Sequence, residues 1–166
     1  MGSRLLTTPC RLTGQSVRTR DRFGSLDAPS RKESELDHTP ARDLSWEPAP
    51  GEFFTGRAWF GPLAEPQQEE GLTALGVQFE PGARTHWHHH PGGQVLYVAS
   101  GAGFVQNSHG EIVVMATGDV VTTPAGEVHW HGATPTSPMM HLSLTTHGAT
   151  QWMGPVTDAE YETASD

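Results

Sequence analysis

Cysteine is nearly missing from this 166-residue chain. Cys10 stands alone, so no disulfide can form within it, and nothing in the sequence calls for an oxidising compartment. In its polar N-terminal setting, far from the histidines, that thiol reads as an exposed and functionally silent group. Long apolar runs are missing too. None approaches the roughly 20 residues of a membrane-spanning helix, and Leu5-Leu6 has no apolar stretch after it, which argues against a secretory leader. Arg4, Arg11, Arg18, Arg20 and Arg22 resemble an organelle-targeting peptide, but a disordered tail or a start codon assigned too far upstream is the plainer reading. A cytoplasmic location is the expectation.

Positive charge is scarce where the chain looks foldable. Residues 46–166 hold only Arg57 and Arg84 against thirteen Asp and Glu, whereas residues 1–45 hold eight Lys and Arg against six acids. An acidic folded region is a poor match for nucleic acid or an anionic membrane. A small neutral or cationic substrate, or a metal ion, fits it better.

The residues present divide the chain in two. Residues 1–48 are rich in Ser, Thr, Pro and charge and poor in apolar periodicity, a composition that cannot offset the entropy of ordering, so they are expected to be a disordered tail. Residues 49–166 are expected to form one domain. In it, short β-rich runs alternate with Gly and Pro turns: 53–60, 72–80, 85–90, 94–100, 103–106, 111–115, 119–123, 128–132 and 139–145. Strands so short and so closely spaced describe an all-β sandwich or small barrel. One short helix is expected at Asp158–Glu162, opened by Thr157 as N-cap with Glu160 at the third position.

The richest stretch is Gly82-Ala-Arg-Thr-His86-Trp-His88-His89-His90-Pro-Gly-Gly-Gln94. Read as an extended strand, it puts His86, His88 and His90 on one face and Trp87 and His89 on the other. Imidazoles at i and i+2, with Gln94 across a Pro-Gly-Gly turn, can converge on one point, as a metal ion requires. A second segment, Gly118 to Pro124-Ala-Gly126 to His129, turns into and out of a strand and delivers another inward imidazole.

The two segments resemble the paired motifs of the cupin superfamily. Gly82, His88, His90, Gln94 and Gly101 have the spacing of the first motif, and Gly118, Pro124, Gly126 and His129 that of the second, with 16 residues between them. The resemblance implies a double-stranded β-helix (jelly-roll) barrel holding a divalent metal through His88, His90 and His129, with Gln94 at the usual carboxylate position. Ala133 stands where an Asn often follows the second motif. A narrower resemblance runs over residues 53–161, through Phe54-Thr55-Gly56, Trp87-His88-x-His90, Gly118-Asp119-Val-Val, His129-Trp-His131-Gly-Ala, Trp152-Met153 and Val156-Thr157-Asp158. It is to bacterial cupins that include manganese-dependent hydroxynitrile lyases, where three His and one Gln hold the metal. Other members of that group are linked to carboxymuconolactone decarboxylases.

His131 shares strand parity with His129, and His141 faces inward on 139–145 if its alternation is read literally. The resemblance places their counterparts in the cavity and links that of His141 to proton transfer. His86, by parity, is a candidate extra base, and Ser143 and Thr145 are candidate pocket wall. Arg84 is expected to pair with a surface carboxylate. The reaction the resemblance implies is metal-assisted cleavage or formation of a cyanohydrin, with Mn2+ as first choice and Fe2+ or Zn2+ as alternatives. An iron-dependent dioxygenase or oxidase, and a metal-stabilised small-molecule binder without turnover, are the other readings of the same site. As in other cupins, a homodimer or higher homo-oligomer is expected, with 53–60 as the strand that joins a partner.

Overall fold

The computed structural model describes residues 36–66 and 70–165; the expectations for residues 1–35 lie outside the described residues. Twelve strands follow one another: β1 (Glu47–Pro48), β2 (Phe54–Thr55), β3 (Ala58–Ala64), β4 (Thr73–Phe79), β5 (Arg84–Thr85), β6 (His88–His89), β7 (Gln94–Asn107), β8 (Ile112–Ala116), β9 (Val120–Thr123), β10 (His129–Ala133), β11 (Met139–Thr145) and β12 (Gln151–Trp152). A short 3-10 turn (Ala41–Asp43) precedes them, and the one α-helix among the described residues, α1 (Asp158–Ser165), follows them. The expected jelly-roll barrel with a short C-terminal helix is what forms.

Every strand pairing is antiparallel. One sheet runs β1-β3-β4-β11-β7-β9. The other joins β7 to β8 and β10, and β10 to β5 and β6, with β2 beside β5 and β12 beside β6. The long strand β7 belongs to both. It turns the corner at Gly101, whose φ of 80° and tight approach to the Pro138 carbonyl leave no room for a Cβ.

Between the sheets, Val77, Phe79, Leu96, Val98, Val105, Met115 and Met139 form one apolar cluster. A second forms outside β10, where Trp130, Phe104 and Val156 pack with Tyr161 and Ala164 of α1. The helix is locked on. Glu160 N–H donates to Thr157 Oγ1 at 3.2 Å while Thr157 N–H and Oγ1–H both donate to Glu160 Oε2, which is the expected capping box. Tyr161 Oη donates to Ala133 O at 2.8 Å, on the very strand that carries His129 and His131. Arg84 does pair with a surface carboxylate, Asp158, at 2.6 Å, but it is itself buried and also donates to Val156 O and lies 4.6 Å over the Tyr161 ring.

Four local expectations change. The run 53–60 is two elements: Gly56, with φ 81°, breaks it so that β2 pairs with β5 and β3 pairs with β4. The run 85–90 splits into β5 and β6 around Trp87, whose N–H bonds Gly154 O instead of a neighbouring strand. The runs 94–100 and 103–106 are one continuous strand. Finally, the ordered fold already includes Trp46, Glu47 and Pro48, at the end of the stretch that composition marks as tail. The Trp46 indole lies across Gly61 and Gly76, and a Cβ at Gly76 would sit 2.6 Å from it. One aromatic seated on two glycines anchors a segment that is otherwise polar.

Candidate metal centre

β6, the turn after it, the start of β7, β10 and β11 aim their inward side chains at one region. His88 and His129 are cross-strand partners in the β6–β10 pair, and their ring centroids lie 4.5 Å apart. The His90 ring is 5.1 Å from that of His88 and 5.9 Å from that of His129. His131, two residues along β10, lies 5.2 Å from His88. Nitrogens of His88, His129 and His131 fall within 4.8 Å of one another.

Hydrogen bonding fixes the state of these rings. His88 Nδ1 is 2.9 Å from His86 O, and His129 Nδ1 is 2.9 Å from Glu127 O. A carbonyl can only accept, so each Nδ1 carries the proton and each Nε2 keeps a lone pair. His90 bonds Thr150 Oγ1 through Nδ1 at 3.3 Å, while its Nε2 is buried with no partner. Gln94 Nε2 donates to Ser143 Oγ at 2.8 Å, which turns Oε1 toward His129 Nε2 at 2.9 Å.

The Gln94–His129 contact tests whether a metal suits the site. With the His129 proton committed to Glu127 O, both atoms of the pair are acceptors. Two lone pairs facing each other repel unless a cation lies near both. The orphaned His90 Nε2 asks for the same partner. Three imidazole nitrogens and an amide oxygen, all uncharged, suit a borderline divalent cation. Burial lowers the pKa of every site histidine, with neighbouring imidazoles adding to the effect at His88, His90, His129 and His131; His90 falls to about 4. The rings are therefore neutral at pH 7, as metal ligands must be.

Beside the ligand cluster, His131 Nδ1 lies 3.2 Å from His141 Nε2. Both rings are buried, and burial brings His141 down to about 4. Thr85 holds the His131 backbone from both sides, accepting from its N–H at 3.1 Å and donating to its carbonyl at 3.2 Å.

A cavity of about 300 Å³ opens over the cluster. His90, Gln94, His131 and Ser143 are among its lining residues, together with Phe53, Phe54, Phe60, Leu75 and Val77. Trp152 closes one end, stacked on Phe53 with centroids 4.7 Å apart and 4.8 Å from the His88 ring. No Asp or Glu is among the lining residues.

Of the seven residues expected here from sequence, six converge: His88, His90, Gln94, His129, His131 and His141. The three whose nitrogens lie within 4.8 Å of one another are His88, His129 and His131, so His131, expected beside the metal, stands in that group and His90, expected as a ligand, does not. His86 does not join the six. It is buried, but it is not among the cavity residues. The parity that placed it there assumes an unbroken strand, and the break between β5 and β6 puts Thr85 in the wall instead. Thr145 likewise is outside the lining, while Ser143 is in it. Thr85, Thr150 and Trp152 escape sequence reasoning as site residues, because their roles depend on that break and on the two-residue strand β12.

Residues 76–145 match the family model for the cupin domain. Over 115 residues the chain is 43% identical to an (R)-mandelonitrile lyase of Granulicella tundricola, covering 68% of this chain and 88% of that protein. A cupin-like protein of Thermotoga maritima superposes with a TM-score of 0.69 at 40% identity, over 72% of this chain and 92% of that one. The polyketide cyclase RemF of Streptomyces resistomycificus shares the fold alone, with a TM-score of 0.62 at 16% identity, over 77% and 92% of the two chains. Strand order, paired motifs and relatives agree: the chain belongs to the cupin family.

Proposed function

We propose that this cupin is a divalent-metal-dependent lyase that cleaves and forms the carbon–carbon bond of a small hydroxynitrile. The observation that carries the reading is the convergence of uncharged donors His88, His90, Gln94 and His129 beneath an apolar cavity, with the neutral pair His131–His141 at its edge. The similarity to a mandelonitrile lyase supplies the reaction class. Manganese is the metal proposed, with iron and zinc as alternatives that the same donors could hold.

A divalent ion held by those four residues supplies Lewis acidity, steadying negative charge that develops on the substrate oxygen or on departing cyanide. The protein's own groups handle the proton. In cleavage the hydroxyl proton passes to His131 Nε2, and His131 gives its Nδ1 proton to His141 Nε2. The C–CN electron pair leaves with cyanide, the aldehyde or ketone carbonyl forms, and the same two rings return the proton to give hydrogen cyanide. Phe53, Phe54 and Trp152 hold the apolar part of the substrate and keep bulk water from the rings.

The test is benzaldehyde release from mandelonitrile by manganese-loaded protein, with His129→Ala as control. Turnover well above the control supports the reading. No release above it, with manganese shown to be bound, overturns the reaction.

A further inference from the structure

β10 has a continuous neighbour on one side only. There β7 runs beside it from His129, opposite Asn107, to Ala133, opposite Gly103. On the other side the ladder is interrupted. Gly132 pairs with Arg84 and His129 with His88, so Thr85, His86 and Trp87 together face only Trp130 and His131. One strand has a residue too many, which is a β-bulge, and bulges beside a site re-aim its side chains. The surplus main chain turns away, His86 N–H donating to Phe53 O at 2.8 Å and Trp87 N–H to Gly154 O at 3.1 Å. His131, itself buried, faces the gap. The Thr85 hydroxyl fills it, accepting from His131 N–H at 3.1 Å and donating to His131 O at 3.2 Å. A main-chain N–H can only donate and a carbonyl can only accept, so the proton and the lone pair of that hydroxyl are both committed. Valine, with the same shape, could do neither.

From this we infer that Thr85 is a positioning residue: its hydroxyl stands in for the ladder bonds missing at the bulge, fixes the main chain of His131, and so sets the reach of the His131 ring to His141. The two rings meet at 3.2 Å. A displacement of about 1 Å would open that contact, and misplacements of such size cost about 100-fold in rate. The geometric part of the inference is independent of the reaction; its effect on rate rests on the proposed lyase.

The test compares wild type, Thr85→Val and Thr85→Ser, with thermal melts to check that each is folded. If Thr85→Val does not fold, Thr85→Cys, whose thiol is a weak donor and a weak acceptor, is read in its place. Proton–nitrogen NMR spectra of metal-free protein carrying isotopically labelled histidine report the tautomer of each ring. Wild type is expected to hold His131 in one tautomer, and Thr85→Val to release it into exchange between the two. Thr85→Ser, which keeps a hydroxyl, restores the single form, and His129, whose Nδ1 proton is held by Glu127 O, stays unchanged throughout. In manganese-loaded protein Thr85→Val is expected to lower kcat for mandelonitrile about 100-fold, with KM within about twofold. Once His141 is alanine the same change is expected to cost no more than about twofold, because the residue acts through that pair. A His131 tautomer already in exchange in wild type, one that stays fixed in Thr85→Val, or an equal rate loss with and without His141 overturns the assignment. Wild-type protein that binds manganese but turns over no mandelonitrile overturns the reaction alone, and the tautomers then decide for Thr85.

Discussion

His131 Nδ1 and His141 Nε2 face each other across 3.2 Å, two neutral imidazoles sharing one proton in a wall without carboxylates. A His–His pair differs from a His–Asp pair in that neither member holds a fixed charge. It can accept a proton at one end and release one at the other while the interior gains only one positive charge. Replacing His141 by alanine removes the far acceptor and spares the four ligands. Turnover of mandelonitrile is expected to fall about 10²- to 10⁴-fold, the usual reach of a proton-transfer group, with manganese content unchanged. Loss of metal in step with rate would instead make His141 a structural support for the centre.

The protonation states carry a stability consequence. Burial holds His90 and His141 at about 4, and lowers His86, His88, His129 and His131 as well. In the unfolded chain these groups titrate near 6.5. Between about pH 6.5 and pH 4 the unfolded chain therefore holds protons that the folded one does not, and stability rises with pH across that window. Metal-free protein should melt at progressively lower temperature as pH falls through it, and level off above about pH 7. Melting that is flat from neutrality down to about pH 4.5 would mean the rings are not buried in neutral form.

Stripping the metal should matter in the same assay. A ligand that binds only the folded state adds roughly 2.7 kcal/mol at a hundred times its dissociation constant, several degrees of melting temperature for a domain of this size. Chelator-treated protein is expected to melt lower and to recover on adding manganese. Calorimetry that shows no shift with manganese, iron or zinc counts directly against a metal at this site.

Two substitutions probe how α1 is fastened. Tyr161→Phe leaves the Ala133 carbonyl without its hydroxyl partner and should cost about 1–3 kcal/mol. Thr157→Ala removes the helix cap and should cost about 1 kcal/mol. Urea unfolding monitored by tryptophan fluorescence reads both, since Trp130 lies beneath the helix.

The barrel and most of its centre were legible because they rest on local chemistry. Spaced glycines mark the turns, alternation marks the inward face of β11, and His88, His90, Gln94 and His129 keep the spacing that a cupin site demands. His86 was misread because parity holds only within a continuous strand. Nothing local reveals that Trp87 leaves the ladder for Gly154. Trp152 and Thr150 were hidden for a related reason: β12 is two residues long, too short for any alternation, and owes its place to pairing with β6. Trp46 escaped because what receives it is the absence of side chains at Gly61 and Gly76, and an absence makes no pattern along its own strand.

Trp152 apart, the cavity's large apolar lining residues come from a separate stretch of chain. Phe53, Phe54, Phe60, Leu75 and Val77 all precede residue 80, whereas the donors and the proton pair all follow residue 87. Selection can therefore edit the guest list and the reaction independently. Substitutions at Phe53, Phe54 and Phe60, which sit on no strand that carries a donor, resize the room for a substrate, and a lineage could inherit one chemistry while passing through many substrates.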